Sequence, residues 1–295
     1  MPELPEVERT RLSLASLIGR TITRAKLHRA DICDSRSATD ASQKTKPRDL
    51  LEHATISSLT RRGKQLAIHS DDGRTLCIQL GMSGRLLLLP SGTPHPASQT
   101  PSHTHALWTF DDNSRLLFID PRRFGGLSTY PTQQALHQFR WSALGPDALS
   151  IATHDLARAC DHSHRPIKSL LLDQSALAGV GNIYADESLF RARIHPATHA
   201  SKLAAPQLSS LARAIRFILA RAIKAGGSTL RDYADSSGTK GSAQLLHAVY
   251  GRASHPCPAC NAPLQGLRLA QRATVFCPIC QPPLNPPKTR QVKPG

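Results

Sequence analysis

Four of the seven cysteines lie in two close pairs near the end of the chain. Cys257 and Cys260 form one CxxC pair, Cys277 and Cys280 form the other, and 16 residues separate the pairs. Each CxxC turn lets two thiolates approach one ion, and two such turns complete the tetrahedron of a structural zinc site. A redox CxxC pair is the alternative, but two pairs at this spacing favour zinc. Four cysteine ligands leave no open coordination position, so a catalytic zinc is disfavoured. The spacing predicts one structural zinc ion in a zinc ribbon, with a small hairpin between the pairs.

The other cysteines and a group of histidines carry no comparable pattern. Cys33, Cys77 and Cys160 stand alone, and a total of seven, an odd number, argues against a disulfide framework. A polar segment and its border contain three histidines, which we interpret as surface residues rather than metal ligands: His95, His103 and His105.

The charge of the chain indicates a polyanionic partner. Lys and Arg number 37 against 21 Asp and Glu, which gives a net charge of +16 over 295 residues. The basic residues are spread through the whole chain, so a loose basic tail does not account for them, and we favour nucleic acid over an adaptation for solubility. No run of 18 or more apolar residues occurs, so no membrane span is predicted. The acidic, proline-containing start is unlike a signal peptide, and we expect a cytoplasmic protein.

The elements that must position these residues fall into two parts. Residues 5–18 read as a helix, and residues 21–130 then read mainly as short strands separated by turns, which indicates a β-sandwich or barrel-like first domain. After about residue 135 the pattern becomes helical, and apolar residues repeat at three and four from 208 to 223. We therefore predict an α+β protein. The segments expected to be exposed and flexible are 36–47, 90–104 and the tail after 282.

Three motifs together identify a family. The chain begins Met-Pro-Glu-Leu-Pro-Glu-Val-Glu, and the stretch 173–190 contains Gly-Val-Gly-Asn-Ile-Tyr. Residues 271–274 read Gln-Arg-Ala-Thr and precede the second CxxC pair. In this order, and over nearly the whole chain, the motifs resemble the start, the helix–two-turns–helix motif and the zinc finger of the formamidopyrimidine-DNA glycosylases.

The resemblance implies an N-terminal β-sandwich with a leading helix and a C-terminal helical domain that carries the helix–two-turns–helix motif and the zinc finger. DNA would lie in the cleft between the two domains. The boundaries that we predict are 1–135 for the β-sandwich, 136–150 for a linker, 151–250 for the helical domain, 251–282 for the zinc finger and 283–295 for a disordered tail.

The activity that the resemblance implies is a bifunctional DNA glycosylase and AP lyase of base excision repair. It would remove 8-oxoguanine and formamidopyrimidines from damaged double-stranded DNA and then cut the strand by β,δ-elimination. The endonuclease VIII branch of the same fold prefers oxidised pyrimidines and typically has Gly after the Pro-Glu pair, so Leu4 favours the purine-specific branch. We expect a monomer, associated with the nucleoid.

Pro2 and Glu3 are the catalytic residues that the resemblance implies at the start of the chain. Taken alone, Pro2 is a helix-start residue and Glu3 a first-turn acid favoured by the helix dipole. Once Met1 is removed, Pro2 carries the α-amine, whose pKa of roughly 7.7–8.0 leaves a neutral, nucleophilic fraction at neutral pH. That amine would attack the sugar C1′ and form a Schiff base. Glu3 would supply and recover protons on the deoxyribose ring.

Four further residues are implied to act on the DNA near the lesion. Lys64 matches the family's hairpin lysine, which contacts phosphate and assists catalysis, although such a basic cluster in isolation is more often a solvated turn. Asn182 and the glycine amides before it resemble a phosphate clamp, and Arg272 resembles the phosphate-binding arginine of the zinc finger. Lys168 resembles a lysine near the damaged nucleotide, with a surface role as the alternative.

Base flipping leaves a gap in the duplex, and three residues match the family's void-filling group: Met82, Arg122 and Phe124. Glu6 and Glu187 resemble further carboxylates that line the site, with helix-surface charges as the alternative. The segment 226–250 would include the loop that closes over the flipped base.

Two other classes of function stay open on the sequence alone. A DNA-binding zinc-finger protein without catalysis would not need Pro2 and Glu3, and here both match. An RNA-associated zinc-ribbon protein is compatible with the charge and the cysteines. Aromatic residues make up only 4% of the chain, however, so few side chains are available to stack on bases.

Overall fold

The computed structural model describes residues 2–34, 46–93, 101–229 and 233–284. It divides the chain into two compact units. Unit one consists of Met1–Asp147 and Leu219–Leu246, and unit two of Ala148–Ile218 and His247–Gly295. Three predicted features lie largely or wholly outside the described residues: the polar loop at 36–47, the centre of the loop at 90–104 with His95, and the tail beyond residue 284.

Helix α1, Leu4–Ser13, opens unit one. Its first turn is closed by a capping interaction in which the backbone N–H of Glu3 donates to Oε2 of Glu6 at 2.8 Å. The helix predicted over residues 5–18 is shorter in the structure, because the chain tightens into a 3₁₀ turn at Ala15–Leu17. Gly19, with φ +85°, then directs the chain towards the first strand in a conformation that favours glycine.

Nine strands in the described part of unit one form two sheets. Their bounds are Ile22–Leu27 (β1), Cys33–Asp34 (β2), Ile56–Arg62 (β3), Gln65–Ser70 (β4), Thr75–Gln79 (β5), Arg85–Leu89 (β6), Thr104–Phe110 (β7), Arg115–Ile119 (β8) and Gly126–Tyr130 (β9). The four-stranded sheet has the order β1-β7-β8-β6, and the five-stranded sheet has the order β2-β9-β5-β4-β3. All neighbours are antiparallel except β2 and β9, which are parallel.

The two sheets share one hydrophobic core. Alternate residues point into it, as Trp108 and Phe110 do from β7 and Leu116 and Phe118 do from β8, and α1 adds Val7. Each fully buried side chain of this size stabilises the fold by roughly 1.5–3 kcal/mol. The predicted β-sandwich with a leading helix is confirmed.

Helices dominate the remainder of the chain. Helix α2 (Gln133–Phe139) belongs to unit one and packs against β9 and β5. Unit two contains α3 (Thr153–Cys160), α4 (Ile167–Leu172) and α5 (Asn182–Arg191), and α6 (Ala205–Lys224) begins in unit two and ends in unit one. Sequence patterns predict helical stretches at 167–173, 183–193 and 208–223, and these correspond to α4, α5 and α6. No such prediction covers α2 and α3.

A two-stranded hairpin lies between the CxxC pairs, as predicted. Strands β10 (Gln265–Leu269) and β11 (Arg272–Phe276) pair antiparallel, and the two residues between them both have positive φ. A small core forms beneath the hairpin, in which Val249, Leu264 and Val275 pack with the buried cysteines. Helix α5 packs against β11. None of the helices in the described residues is long and apolar enough to cross a membrane.

Candidate active site and nucleic-acid interface

The start of α1 is buried. Pro2 is buried, and Glu3 and Glu6 are 2% and 1% exposed. Glu6 uses both carboxylate oxygens: Oε2 accepts from the backbone N–H of Glu3, and Oε1 accepts from the backbone N–H of Ser228 at 2.7 Å. The interpretation of Glu6 as a helix-surface charge is therefore wrong. This side chain fixes the backbone next to Pro2 and ties residue 228 to the same helix.

The segment predicted to close over a flipped base is attached to α1 at more than one point. Residues 230–232 lie outside the described part, and the residues on either side contact the helix. The Tyr233 hydroxyl donates to the backbone oxygen of Glu6 at 3.0 Å, and the Ser236 and Ser13 hydroxyls lie 2.7 Å apart. Burial raises the pKa of the Tyr233 hydroxyl above its ordinary value, so it stays protonated and donates. The described ends of this segment are therefore fixed relative to the N-terminus of α1.

Lys64 lies in the tight turn between β3 and β4 and is half-buried. The residue before it, Gly63, has φ +55°. The neighbouring Arg61 is not the solvated residue that a basic turn suggests, since its side chain is only 7% exposed and is engaged by two carboxylates.

The three predicted void-filling residues lie on two adjacent turns of unit one. Met82 and Phe124 are 36% and 55% exposed, an unusual setting for large apolar side chains. The Arg122 guanidinium is also exposed and lies 4.9 Å from the centre of the Phe124 ring. The structure therefore brings the three side chains to one region of the surface.

A buried carboxylate that sequence analysis missed, Asp120, joins these two turns. It is 0% exposed, and its Oδ1 accepts from the Ser83 hydroxyl at 2.5 Å while its Oδ2 accepts from the backbone N–H of Gly125 at 2.7 Å. The backbones also approach closely, because a Cβ added to Gly81 would lie 2.3 Å from the carbonyl carbon of Phe124. The two turns are therefore one packed unit.

One histidine prediction is wrong. His105 is buried, 4% exposed, and its Nε2 lies 2.8 Å from the backbone oxygen of Asp120. It supports the same pair of turns from beneath. His103 is exposed, in agreement with the prediction.

The predicted phosphate clamp lies at the start of α5. Gln174 holds the loop before it, accepting from the backbone N–H of Gly179 at 2.9 Å and donating to the backbone oxygen of Val180 at 3.0 Å. Gly181 then precedes the first residue of the helix, Asn182. The N–H groups at the start of a helix attract anions. The Asn182 amide nitrogen donates to the backbone oxygen of Ala273 at 3.0 Å, so this residue also touches the finger hairpin.

Lys168 is fully buried, so its interpretation as a surface residue is wrong. Its Nζ lies 2.7 Å from Oδ1 of Asp186 and donates to the Thr274 hydroxyl at 2.8 Å and to the backbone oxygen of Ala273 at 3.0 Å. Burial raises the pKa of Asp186 to about 6, although Lys168 acts in the opposite direction. The other oxygen of Asp186 accepts from the Val275 N–H at 3.1 Å. In this arrangement Lys168 does not reach solvent, and it joins Asp186 of α5 to strand β11.

Glu187 is also buried rather than a helix-surface charge. It is 3% exposed and accepts three backbone N–H groups, from Ala248 at 2.9 Å, Val249 at 2.9 Å and Tyr250 at 2.8 Å. A carboxylate with this many donors is a strong anchor. It fixes the chain at the point where it enters the finger.

The four predicted zinc ligands form one cluster. Their sulfur atoms all lie within 4.8 Å of one another. The Sγ atoms of Cys257 and Cys280 are 3.9 Å apart, and those of Cys260 and Cys277 are 3.4 Å apart. Thiolates at about 2.3 Å from a tetrahedral zinc would be about 3.8 Å apart, so the cluster fits the ion.

The finger is fixed to unit two close to the cluster. Gln281 accepts from the backbone N–H of Cys277 at 2.9 Å and donates to the backbone oxygen of Ile194 at 2.8 Å. Arg272, the predicted phosphate-binding residue, is exposed at the first position of β11. Its strand is held from behind while its own side chain faces solvent.

Comparison with known proteins agrees with this architecture. The family model of the formamidopyrimidine-DNA glycosylase N-terminal domain matches residues 1–127, and that of the formamidopyrimidine-DNA glycosylase H2TH domain matches residues 144–234. The chain is similar to the formamidopyrimidine-DNA glycosylase of Heliobacterium modesticaldum, with 41% identity over 285 residues that cover 95% of this chain and 100% of the relative.

Solved structures give the same result. The Lactococcus lactis enzyme, Fpg, as a mutant in complex with Fapy-dG containing DNA, matches with a TM-score of 0.83 and 31% identity, covering 95% of this chain and 100% of that one. The complex of Lactococcus lactis Fpg with abasic site containing DNA matches with a TM-score of 0.82 and 32% identity at the same coverage. The chain therefore belongs to the formamidopyrimidine-DNA glycosylase family of DNA repair enzymes.

Proposed function

We propose that this protein is a bifunctional DNA glycosylase and AP lyase that removes 8-oxoguanine and formamidopyrimidines from double-stranded DNA. Family membership supports the glycosylase activity. The observation that carries the proposal is the start of α1, where Pro2 and Glu3 lie together in a buried position and Glu6 fixes the backbone that joins them. A protein that only bound DNA would have no need of this arrangement.

The chemistry begins at Pro2 once Met1 has been removed. Its secondary amine attacks C1′ of the damaged nucleotide, the bond from C1′ to the base breaks, and the base leaves with the electron pair and takes up a proton. Glu3 protonates the ring oxygen as the sugar opens, which leaves an iminium between Pro2 and C1′. Loss of a C2′ proton expels the 3′ phosphate, and a second elimination expels the 5′ phosphate. Water then hydrolyses the iminium and restores the amine.

The other predicted residues hold the DNA in a reactive position. Lys64, Asn182 and Arg272 bind backbone phosphates around the lesion. Extraction of the base from the duplex costs a few kcal/mol, and the exposed side chains of Met82 and Phe124 offset part of this cost by filling the gap.

Further residues contact the opposite DNA strand or hold the metal. Arg122 hydrogen-bonds the base left without a partner. Cys257, Cys260, Cys277 and Cys280 hold one zinc ion, which supplies a rigid fold for the finger and takes no part in the chemistry. Lys168 acts indirectly, through the finger strand that it contacts. The enzyme works as a monomer on chromosomal DNA in the bacterial cytoplasm.

The test is to trap the covalent intermediate. Borohydride reduces an iminium to a stable amine and leaves noncovalent complexes unchanged. The processed protein, mixed with duplex DNA that carries 8-oxoguanine opposite cytosine, should form an adduct that peptide mapping assigns to Pro2. Glu3→Gln should bind the same DNA while it releases the base more slowly.

The matched control is the same protein with Met1 retained, or with one residue added before Pro2. In that form the proline nitrogen is an amide, so trapping and strand cleavage should be lost while DNA binding persists. An adduct on Lys64, or full activity from the blocked form, would overturn the proline mechanism and favour a lysine-based lyase. Binding without any adduct in the processed protein would favour a protein that has lost catalysis.

A further inference from the structure

The turn that carries Lys64 is held by side chains on both sides of its peptide backbone. The N–H of Gly63 donates to Oδ2 of Asp147 at 2.8 Å, and the backbone oxygen of Gly63 accepts from Nη1 of Arg61 at 2.9 Å. A glycine at φ +55° has unusual freedom in the unfolded chain and in a loose turn. Here both of its backbone polar groups are engaged, which fixes the point from which the Lys64 side chain leaves the turn.

The two side chains that hold the turn also hold each other. Nη1 of Arg61 lies 2.7 Å from Oδ2 of Asp147, and Nη2 lies 3.1 Å from Oδ1, so the pair is bidentate. The side chains are 7% and 18% exposed. A two-pronged pair of this kind restrains orientation as well as distance. The pair is therefore suited to fix the position of the turn that carries Lys64, in addition to any contribution to stability.

The third nitrogen of Arg61 connects the turn to α1. Nε donates to Oε2 of Glu8 at 2.9 Å, and Arg11 contacts the same carboxylate at 2.6 Å. Although burial acts to raise it, hydrogen bonds from Arg11 and Arg61 keep the pKa of Glu8 below its ordinary value, so Glu8 stays charged. Glu8 lies on the helix whose first residue follows Glu3. One guanidinium therefore links the Lys64 turn, Asp147 and the helix that starts beside Pro2.

We propose that Arg61 and Asp147 are positioning residues that hold Lys64 at a fixed place relative to Pro2. The inference rests on the function proposed above, in which Lys64 binds the phosphate next to the lesion. Its physical basis is that a displacement of about 1 Å in a reacting group can cost about a hundredfold in rate. The network confines the turn and so keeps the ammonium in reach of its phosphate.

The experiment is a double-mutant cycle between Asp147 and Lys64. Asp147→Asn keeps the size of the side chain and removes the negative charge that pairs with Arg61. It is compared with Lys64→Ala and with the double variant, by single-turnover release of 8-oxoguanine and by the slope of log affinity for the same duplex against log salt. The matched control is Asp72→Asn in the β4–β5 turn, where a carboxylate also accepts from an arginine side chain and from a backbone N–H. Thermal melts of each variant identify losses that reflect unfolding.

We expect Asp147→Asn to slow base release at least about tenfold and to lower the salt slope in the same direction as Lys64→Ala, which should lower it by about 1. The double variant should be no slower than Lys64→Ala alone, because a misplaced lysine and an absent one are equivalent. Asp72→Asn should change neither measurement. If the Asp147→Asn variant melts at the assay temperature, the Arg61→Lys variant is used instead. Lysine keeps the positive charge but cannot form the bidentate pair with Asp147.

Three results would overturn the inference, one by removing the role of Lys64 and two by removing only the positioning role. If Lys64→Ala leaves both the rate and the slope unchanged, the proposed role of Lys64 fails and the positioning role falls with it. If Lys64→Ala has its expected effect while the folded variants of Asp147 and Arg61 have none, only the positioning role is wrong. An effect of Asp147→Asn that persists undiminished in the Lys64→Ala background has the same meaning, because the two residues would then act independently.

Discussion

Replacement of Lys168 by methionine tests the buried ion pair behind the finger. Methionine fills a similar volume and removes the ammonium, so Asp186, 2% exposed, loses its cationic partner. The finger strand loses two hydrogen bonds, at Thr274 and Ala273. Removal of one member of a buried pair typically costs 3–5 kcal/mol, because the other charge is left buried and uncompensated. We therefore expect a loss of about 3–5 kcal/mol in the local stability of β11.

The pH dependence of this loss follows from the direction of the Asp186 shift. Burial raises its pKa to about 6 in the folded chain, so its stabilising contribution is complete at low pH and is lost as pH rises through about 6. Without Lys168 the attraction that opposes this shift is gone, and the pKa rises further. The variant should therefore continue to lose stability above pH 6, where this contribution no longer changes in the natural protein.

Hydrogen exchange at the Val275 amide is a direct assay, since this N–H donates to Asp186. At pH 7 a loss of 3–5 kcal/mol corresponds to exchange that is faster by roughly 10²–10³-fold or more. Lys202→Met, an exposed lysine of the same unit, is the matched control and should change exchange little. Replacement of both members of the pair by apolar residues should recover much of the loss in a thermal melt, although the Val275 amide then lacks its acceptor and does not report that recovery. A change below about fivefold, or an equal change in the control, would refute this reasoning.

Three further predictions concern the finger and the cysteines. Removal of metal by a chelator should weaken DNA binding while the circular dichroism of the β-sandwich persists, and Cys277→Ser should have the same effect. If DNA binding and the circular dichroism signal are lost together, the finger does not fold independently of the β-sandwich. Arg272→Ala should reduce the slope of log affinity against log salt by about 1, because one phosphate contact is lost, and an unchanged slope would remove the residue from the interface. Burial raises the pKa of Cys160 to about 11, so only about one thiol in a thousand is ionised at pH 8. Alkylation at that pH, followed by mass spectrometry, should label the half-buried Cys33 well before Cys160, and equal rates would show that burial does not protect it.

Much of the fold was predictable because its signals are local. Alternating apolar residues mark the strands of the β-sandwich, and the repeat at three and four marks α6, since each pattern reflects one buried face. The spacing of the cysteines predicts their clustering for the same reason, as each CxxC pair is itself a turn. Helix α2 was not predicted because only one of its residues, Leu136, is buried, and a single apolar residue makes no period.

The polar partners that shape the site were not predictable from sequence. Asp147 meets Arg61 across 86 residues of chain, and Lys168 meets Thr274 across 106. No local pattern records such pairs, and a charged residue read by itself suggests solvent, as it did for Glu187. The predicted catalytic and DNA-contacting residues came from the family resemblance alone, because Pro2 taken by itself is an ordinary helix-start proline.

The close packing of the turns that carry Met82 and Phe124 has a consequence for how this protein could be re-engineered. Since Asp120 bonds to both turns and Gly81 leaves no space for a side chain against the second, neither turn can change length without displacing the other. A library that varies the length of one turn alone would therefore disturb the other turn in most of its members. Grafts from a relative should transplant the two turns together with Asp120, because a graft of one turn alone would lose its contacts with the other.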